Sequence, residues 1–263
     1  MEDFNFKKKY GQNFLSDENL VNKIARCALI KPNSLTIEVG PGKGILTNEL
    51  IKYSTNVISY EIDLDLEQYL KNRFENVDNL EIIYGDFLKR NISDDINKYK
   101  YDNIYFVSNV PYYITSPILL KLIDTKIPFE KIVMMVQEEL GERLSASPKT
   151  KSYGSITVLL NYFYDIKREF KVNRNMFKPV PNVDSEVISL TRKQNIKKAK
   201  NEDLLFRLIR DSFKYKRKTI KNNLSNYDLV IVEKVLKRYG YGLSVRAEQL
   251  PIEIFVEISD ELS

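Results

Sequence analysis

The sequence predicts an α/β fold: a parallel sheet finished by an antiparallel edge hairpin over residues 1–193, then a small basic helical domain over 194–263. Three observations carry that expectation. Apolar runs rich in β-branched and aromatic residues alternate with helical patterns as far as residue 146. The first of these runs passes straight through Gly40-Pro41-Gly42-Lys43-Gly44 into a helical pattern, so strand, glycine turn and helix follow in that order. Residues 1–190 carry 25 Lys/Arg against 26 Asp/Glu and residues 191–263 carry 16 against 10, so a net charge of −1 gives way to +6.

Composition narrows the chemistry before any motif is read. With 263 residues and 43% hydrophobic content the chain can bury a large core, and one large domain plus a small one is expected. Cys27 is the single cysteine and there is no histidine. An intrachain disulfide, a cysteine-clustered zinc site and the commonest general base are therefore all excluded. No window reads as a signal peptide or a spanning helix, so a cytoplasmic protein with no membrane partner is expected; without histidine or clustered cysteine no metal is expected, and a monomer is expected.

In chain order, the basic arm Lys7, Lys8 and Lys9 precedes the N-cap residues Ser16 and Asp17, and Leu20, Ile24 and Ala28 then recur at helical spacing, predicting a helix over 17–29. A strand over 35–39 enters the glycine turn and a helix over 45–53 leaves it. Glycines let a ligand approach the backbone, and the N–H groups at a helix N-terminus favour an anionic group. A second strand over 56–60 ends at Glu61, 21 positions after Gly40, close to where a nucleotide-binding βαβ unit places the carboxylate that accepts from ribose hydroxyls. The dinucleotide fingerprint asks for glycine at position 45, where Ile45 stands, which points away from NAD. A third strand over 80–84 ends in Gly85-Asp86, whose carboxylate could accept from an adenine amino group or simply cap a helix.

The fourth strand, Ile104-Tyr105-Phe106-Val107, stops abruptly in Ser108-Asn109-Val110-Pro111-Tyr112-Tyr113. A side-chain amide, a carbonyl freed from any ladder and an aromatic ring thus meet at the C-terminal tip of a strand, where open α/β sheets bind their ligands. That inventory suits a planar base carrying an amino group. A fifth strand over 132–136 leads to a helix over 138–146 and a basic loop over 147–154. Strands over 155–162 and 186–191 form the expected edge hairpin around Asn175-Met176-Phe177-Lys178-Pro179-Val180-Pro181. In the tail a helix is expected over 203–224, its apolar stripe Phe206, Ile209, Phe213, Ile220 and Leu224 opposed by a basic face of Lys214, Arg217, Lys218 and Lys221 suited to nucleic acid.

Several motifs together carry a resemblance. These are Tyr10-Gly11-Gln12-Asn13-Phe14-Leu15, Glu38-Val39-Gly40-Pro41-Gly42, Gly85-Asp86, Asn109-Val110-Pro111-Tyr112, the segment 137–154, Phe177-Lys178-Pro179-Val180-Pro181-Asn182-Val183-Asp184-Ser185 and Phe213-Lys214-Tyr215-Lys216-Arg217-Lys218-Thr219. Along nearly its whole length the chain resembles the KsgA family of bacterial small-subunit (16S) ribosomal RNA adenine N6-dimethyltransferases. The family more often has leucine where Val110 stands, a mild departure because the backbone carbonyl is the part in use. Antibiotic-resistance methylases of large-subunit RNA share the first three motifs but are not expected to carry the last three in this form, which favours the small subunit.

The resemblance implies a Rossmann-like, seven-stranded class I methyltransferase sheet. It implies an S-adenosylmethionine pocket lined by Asn13, Leu15, Gly40, Gly42, Glu61, Asp86 and Asn109. Asn109, the Val110 carbonyl, Tyr112 and Phe177 would act on the extruded base. Lys7, Lys8, Lys9, Lys214, Arg217, Lys218 and Lys221 would bind RNA, with the small ribosomal subunit as partner. The implied product is dimethylation of two adjacent adenines near the 3′ end of the RNA, with a role in late subunit assembly; a non-catalytic RNA-binding assembly factor is the alternative from another class.

Overall fold

The computed structural model describes residues 17–263 together with the backbone of Phe14–Leu15. Lys7, Lys8, Lys9 and Asn13 lie outside the described residues. The chain divides into two compact units, the first Met1–Gly141 with Lys167–Arg192 and the second Glu142–Ile166 with Lys193–Ser263.

In the first unit, strand β1 (Phe14–Leu15) leads to helix α1 (Glu18–Cys27), which Asp17 caps by accepting the Leu20 N–H at 3.0 Å. Then β2 (Ser34–Val39), α2 (Ile45–Tyr53), β3 (Asn56–Glu61), α3 (Glu67–Arg73), β4 (Leu80–Tyr84), α4 (Ile92–Ile96), β5 (Asn103–Ser108), α5 (Thr115–Asp124) and β6 (Lys131–Gln137) alternate as the pattern of apolar runs asks. Beyond α6 (Glu138–Leu144), and past α7 (Ser155–Phe163), which belongs to the second unit, β7 (Tyr164–Val172), β8 (Phe177–Lys178) and β9 (Ser185–Arg192) follow. Seven strands form one sheet in the order β4-β3-β2-β5-β6-β9-β7. The β2–β3, β2–β5, β3–β4 and β5–β6 pairs are parallel and β6–β9 is antiparallel. β1 pairs antiparallel with β8 outside that sheet, setting Leu15 opposite Phe177.

The central strands are buried along their lengths, as a sheet covered on both faces requires. On one face Val21, Ile24 and Ala25 of α1 and Leu46 and Leu50 of α2 pack with Val107, Val133, Met135, Phe177 and Val187. A run of rings links Tyr60, Phe87, Phe106 and Phe129, with centroids 5.0 to 6.2 Å apart.

Two expected elements are different. The run 155–163 is helix α7 and not a strand: its nine residues are apolar on nearly every side and six of them are buried, so no period of two or 3.6 separates the alternatives. The strand that takes its place in the sheet is β7, where Tyr164, Ile166, Phe170 and Val172 alternate with Asp165, Lys167, Glu169 and Lys171, broken once by Arg168. The expected helix over 203–224 is also broken. In the second unit α8 (Glu202–Ser212) stops at Phe213, a turn follows, and α9 (Ile220–Asn223) restarts behind Thr219. Lys214, Lys216, Arg217 and Lys218 would crowd like charges on successive helical turns. The Asn223 side chain staples the turn instead, donating to the Ser212 carbonyl at 2.6 Å and the Tyr215 carbonyl at 3.3 Å and accepting the Tyr215 N–H at 3.2 Å. α10 (Leu229–Arg238) and α11 (Ile252–Leu262) complete this unit. The second unit thus takes in residues 142–166 besides the tail, where the sequence suggested a single cut after residue 193.

Candidate functional site

β2 has β3 on one side and β5 on the other, and the chain order proceeds outward from it to β4 on one side and to β6 on the other. A crevice opens at such a switch point, beyond the C-terminal ends of the strands. Ser108 closes the ladder just below it: its buried hydroxyl donates to the Val39 carbonyl at 2.5 Å and accepts the Val39 N–H at 3.3 Å. The crevice is a cavity of about 310 Å³, lined by the loops that follow β2, β3, β4 and β5 and by Phe177.

The first of these loops is the glycine turn. Gly40 at φ 70° and Gly44 at φ 73° adopt the left-handed conformation, and a Cβ on Gly44 would stand 2.6 Å from the Phe74 ring. The Gly40 N–H donates to the Tyr60 carbonyl at 2.8 Å and the Gly85 N–H to the Glu61 carbonyl at 2.7 Å, so three strand tips are laced together.

Two carboxylates are buried here. Glu61 accepts the Gly42 N–H at 3.1 Å through Oε2 and the Asp63 N–H at 2.8 Å through Oε1, and burial raises its pKa. Glu38, only 1% exposed, accepts from the hydroxyls of Thr47 and Ser59 at 2.7 and 2.6 Å, both on Oε2. Its Oε1 is buried and has no partner, and desolvation lifts the group to about 7. Asp86 caps the short turn Phe87–Lys89 by accepting the Leu88 N–H at 3.0 Å.

At the tip of β5, Asn109 is half-buried and the Val110 side chain is turned into the interior. Among the described residues neither the Asn109 side chain nor the Val110 carbonyl has a hydrogen-bond partner. Tyr112 begins a single helical turn, Tyr112–Ile114, and its hydroxyl lies 2.6 Å from the Ser185 hydroxyl.

Gly40, Gly42, Glu61, Asp86, Asn109, Val110, Tyr112 and Phe177, scattered over 138 positions, all line this one cavity. Phe177 does so while only 1% exposed, as a member of the core cluster, whereas Tyr113 is 62% exposed. Leu15 is described only through its backbone, which pairs with Phe177 beside the cavity without being among its lining residues, and Asn13 is outside the described residues. Lys214, Arg217, Lys218 and Lys221 belong to the second unit and are exposed, the first three in the turn after α8 and the last in α9, not on one helical face. Glu38 and Ser185 were legible only as letters of longer motifs. The signal for Glu38 was a carboxylate inside an apolar strand, which is costly without partners. Among the described residues no group of three or more His, Cys, Asp or Glu is placed to hold a metal, and no helix is long and apolar enough to cross a membrane.

The profile of the family described as ribosomal RNA adenine dimethylase matches residues 3–263. The chain is 39% identical to the ribosomal RNA small subunit methyltransferase A of Lactococcus lactis subsp. lactis (strain IL1403), over 99% of this chain and 91% of that one. It is 42% identical to the protein of the same name from Aster yellows witches'-broom phytoplasma, over 96% and 94%. Among solved structures, a dimethyladenosine transferase from Plasmodium falciparum superposes with a TM-score of 0.76 at 27% identity, covering 93% of this chain and 95% of that one. The 23S rRNA methyltransferase ErmE does so with a TM-score of 0.71 at 28% identity, covering 95% and 99%.

Proposed function

The chain belongs to the ribosomal RNA adenine dimethylase family, and from that premise we propose that Asn109 and Val110 present the amino group of an extruded adenine for methylation. The protein is an S-adenosylmethionine-dependent methyltransferase that dimethylates adenine N6 in small-subunit ribosomal RNA. Two adjacent adenines near the 3′ end of that RNA are the proposed targets, within the cytoplasmic small subunit during its late assembly. A monomer suffices, because one cavity gathers the groups the reaction needs.

The cavity residues suit the cofactor. The partnerless Oε1 of Glu38 is a ready acceptor for an ammonium group, and the carboxylates of Glu61 and Asp86 suit ribose hydroxyls and an adenine amino group. When bound, S-adenosylmethionine supplies a methyl group on a sulfonium, an electrophile that needs no metal and no strong base. What remains for the chain is to improve and align the nucleophile.

Adenine N6 is a weak nucleophile because its lone pair is delocalised into the ring. With the Asn109 side-chain oxygen and the Val110 carbonyl accepting its two hydrogens, the nitrogen is drawn towards a tetrahedral, attacking form, and this interaction strengthens in the transition state. The proton leaves to water, consistent with a chain that has no histidine. The Tyr112 ring stacks on one face of the base and Phe177 walls the other. Each stack contributes about 1 to 3 kcal/mol, comparable to the few kcal/mol that unstacking the base costs.

The observation that carries this reading is the pair of partnerless acceptors at the tip of β5, in the same cavity as the glycine turn and Glu61. Asn109→Ala should slow single-turnover methyl transfer by about a hundredfold, as loss of a transition-state hydrogen bond does. RNA affinity and melting temperature should stay near wild type. A near-normal single-turnover rate would show that the amide is not part of the machinery.

A further inference from the structure

We infer that Ser185 is a positioning residue that holds the ring of Tyr112 in its stacking plane, an inference that rests on the role proposed for Tyr112 above. Ser185 opens β9 opposite Gln137, on the last rung of the antiparallel ladder. The Asp184 carbonyl just before it accepts the Glu138 N–H at 3.1 Å, so the backbone is fixed on both sides. Side chains alternate along a strand, which puts Ser185 on the same face as Val187, a member of the core cluster with Val107, Met135 and Phe177. Packing there asks only for a small apolar side chain. A fully buried hydroxyl instead costs free energy unless it is hydrogen-bonded, and its partner is the Tyr112 phenol at 2.6 Å, 73 positions away in the chain.

Tyr112 needs such a tether. It begins one short helical turn behind Pro111, its ring borders an open cavity, and no ladder holds its backbone. A ring anchored at its Cα alone can turn about two side-chain torsions, whereas a hydrogen bond at the opposite end fixes its plane. A stacking platform works in one plane, so the tether removes conformations in which an extruded base finds no parallel surface. Burial raises the Tyr112 pKa, which keeps the phenol neutral and able to share a proton with Ser185. Ser185 touches no reacting atom and acts entirely through Tyr112.

The test is a double-mutant cycle of Ser185→Ala and Tyr112→Phe. It is read as single-turnover methyl transfer from S-adenosylmethionine to unmethylated small ribosomal subunits, with melting temperature and cofactor affinity measured alongside. Both changes delete the same hydrogen bond, so each should slow transfer about three- to tenfold and the double variant should be no slower than the slower single. Cofactor affinity should stay at the wild-type value. Rate losses that multiply in the double variant would overturn the assignment, as would variants that melt lower yet transfer at the wild-type rate. A wild-type chain that labels no subunit overturns the proposed function itself, so the two failures are told apart.

Discussion

Glu38 stands inside a strand whose neighbours are Ile37 and Val39, with both hydroxyl partners on one carboxylate oxygen and none on the other. Burial holds the group at about 7, with Glu61 nearby adding in the same direction. An unfolded glutamate titrates near pH 4.3, so between there and about pH 7 the folded chain binds more protons than the unfolded one. Stability should therefore fall as pH rises through that window, by on the order of a few kcal/mol, and level off above it. Glu38→Gln keeps an acceptor for Thr47 and Ser59 but cannot ionise, so its melting temperature should vary less between pH 5 and 8 than that of wild type. An unchanged pH dependence would mean that Glu38 is ionised throughout. The residues legible in the sequence were those whose polar type interrupts an apolar run at its end: Glu61, Asp86 and Asn109. Glu38 and Ser185 draw their meaning from Ser59 and Tyr112, partners 21 and 73 positions away that no local pattern reveals.

At the scale of elements, the alternating half of the sheet was readable because β2, β3, β4, β5 and β6 are short apolar runs bounded by turn residues. The last part was not. α7 is apolar all round, so its period is hidden, while β7 carries the charged run Lys167-Arg168-Glu169, which interrupts its alternation and reads as a solvated loop. The same masking affected the tail, where positions 214, 217, 218 and 221 match a helical face that the chain does not form. The break gathers Lys214, Lys216, Arg217 and Lys218 in one exposed turn stapled by Asn223. A stapled cationic turn keeps the expectation of phosphate contacts while changing its geometry. Each phosphate contact adds about 0.7 to 0.9 to the slope of log affinity against log salt. Neutralising Lys214, Arg217, Lys218 and Lys221 together should flatten that slope for subunit binding and leave S-adenosylmethionine affinity unchanged. A salt series in which the fourfold variant keeps the wild-type slope would remove this turn from the RNA-binding surface.

For the molecule as a whole, the division into a neutral and a basic part survives the change of boundary. The first unit carries 23 Lys/Arg against 24 Asp/Glu and the second, which takes in residues 142–166, carries 18 against 12. The sheet unit holds the cavity, and the excess cations of the second unit carry the proposal that it meets the phosphate backbone. Sequence motifs fixed the choice between the two RNA subunits more firmly than shape does, since the fold is shared with a 23S rRNA methyltransferase while the curated relatives at 39% and 42% identity are named for the small subunit. The most direct measurement follows from that contrast. Unmethylated small and large ribosomal subunits are incubated separately with the protein and isotopically labelled S-adenosylmethionine, and mass spectrometry of the digested RNA locates the label. The expected result is N6,N6-dimethyladenosine at two adjacent adenines of the small-subunit RNA and none in the large. Label confined to large-subunit RNA, or to any atom other than adenine N6, would contradict the account.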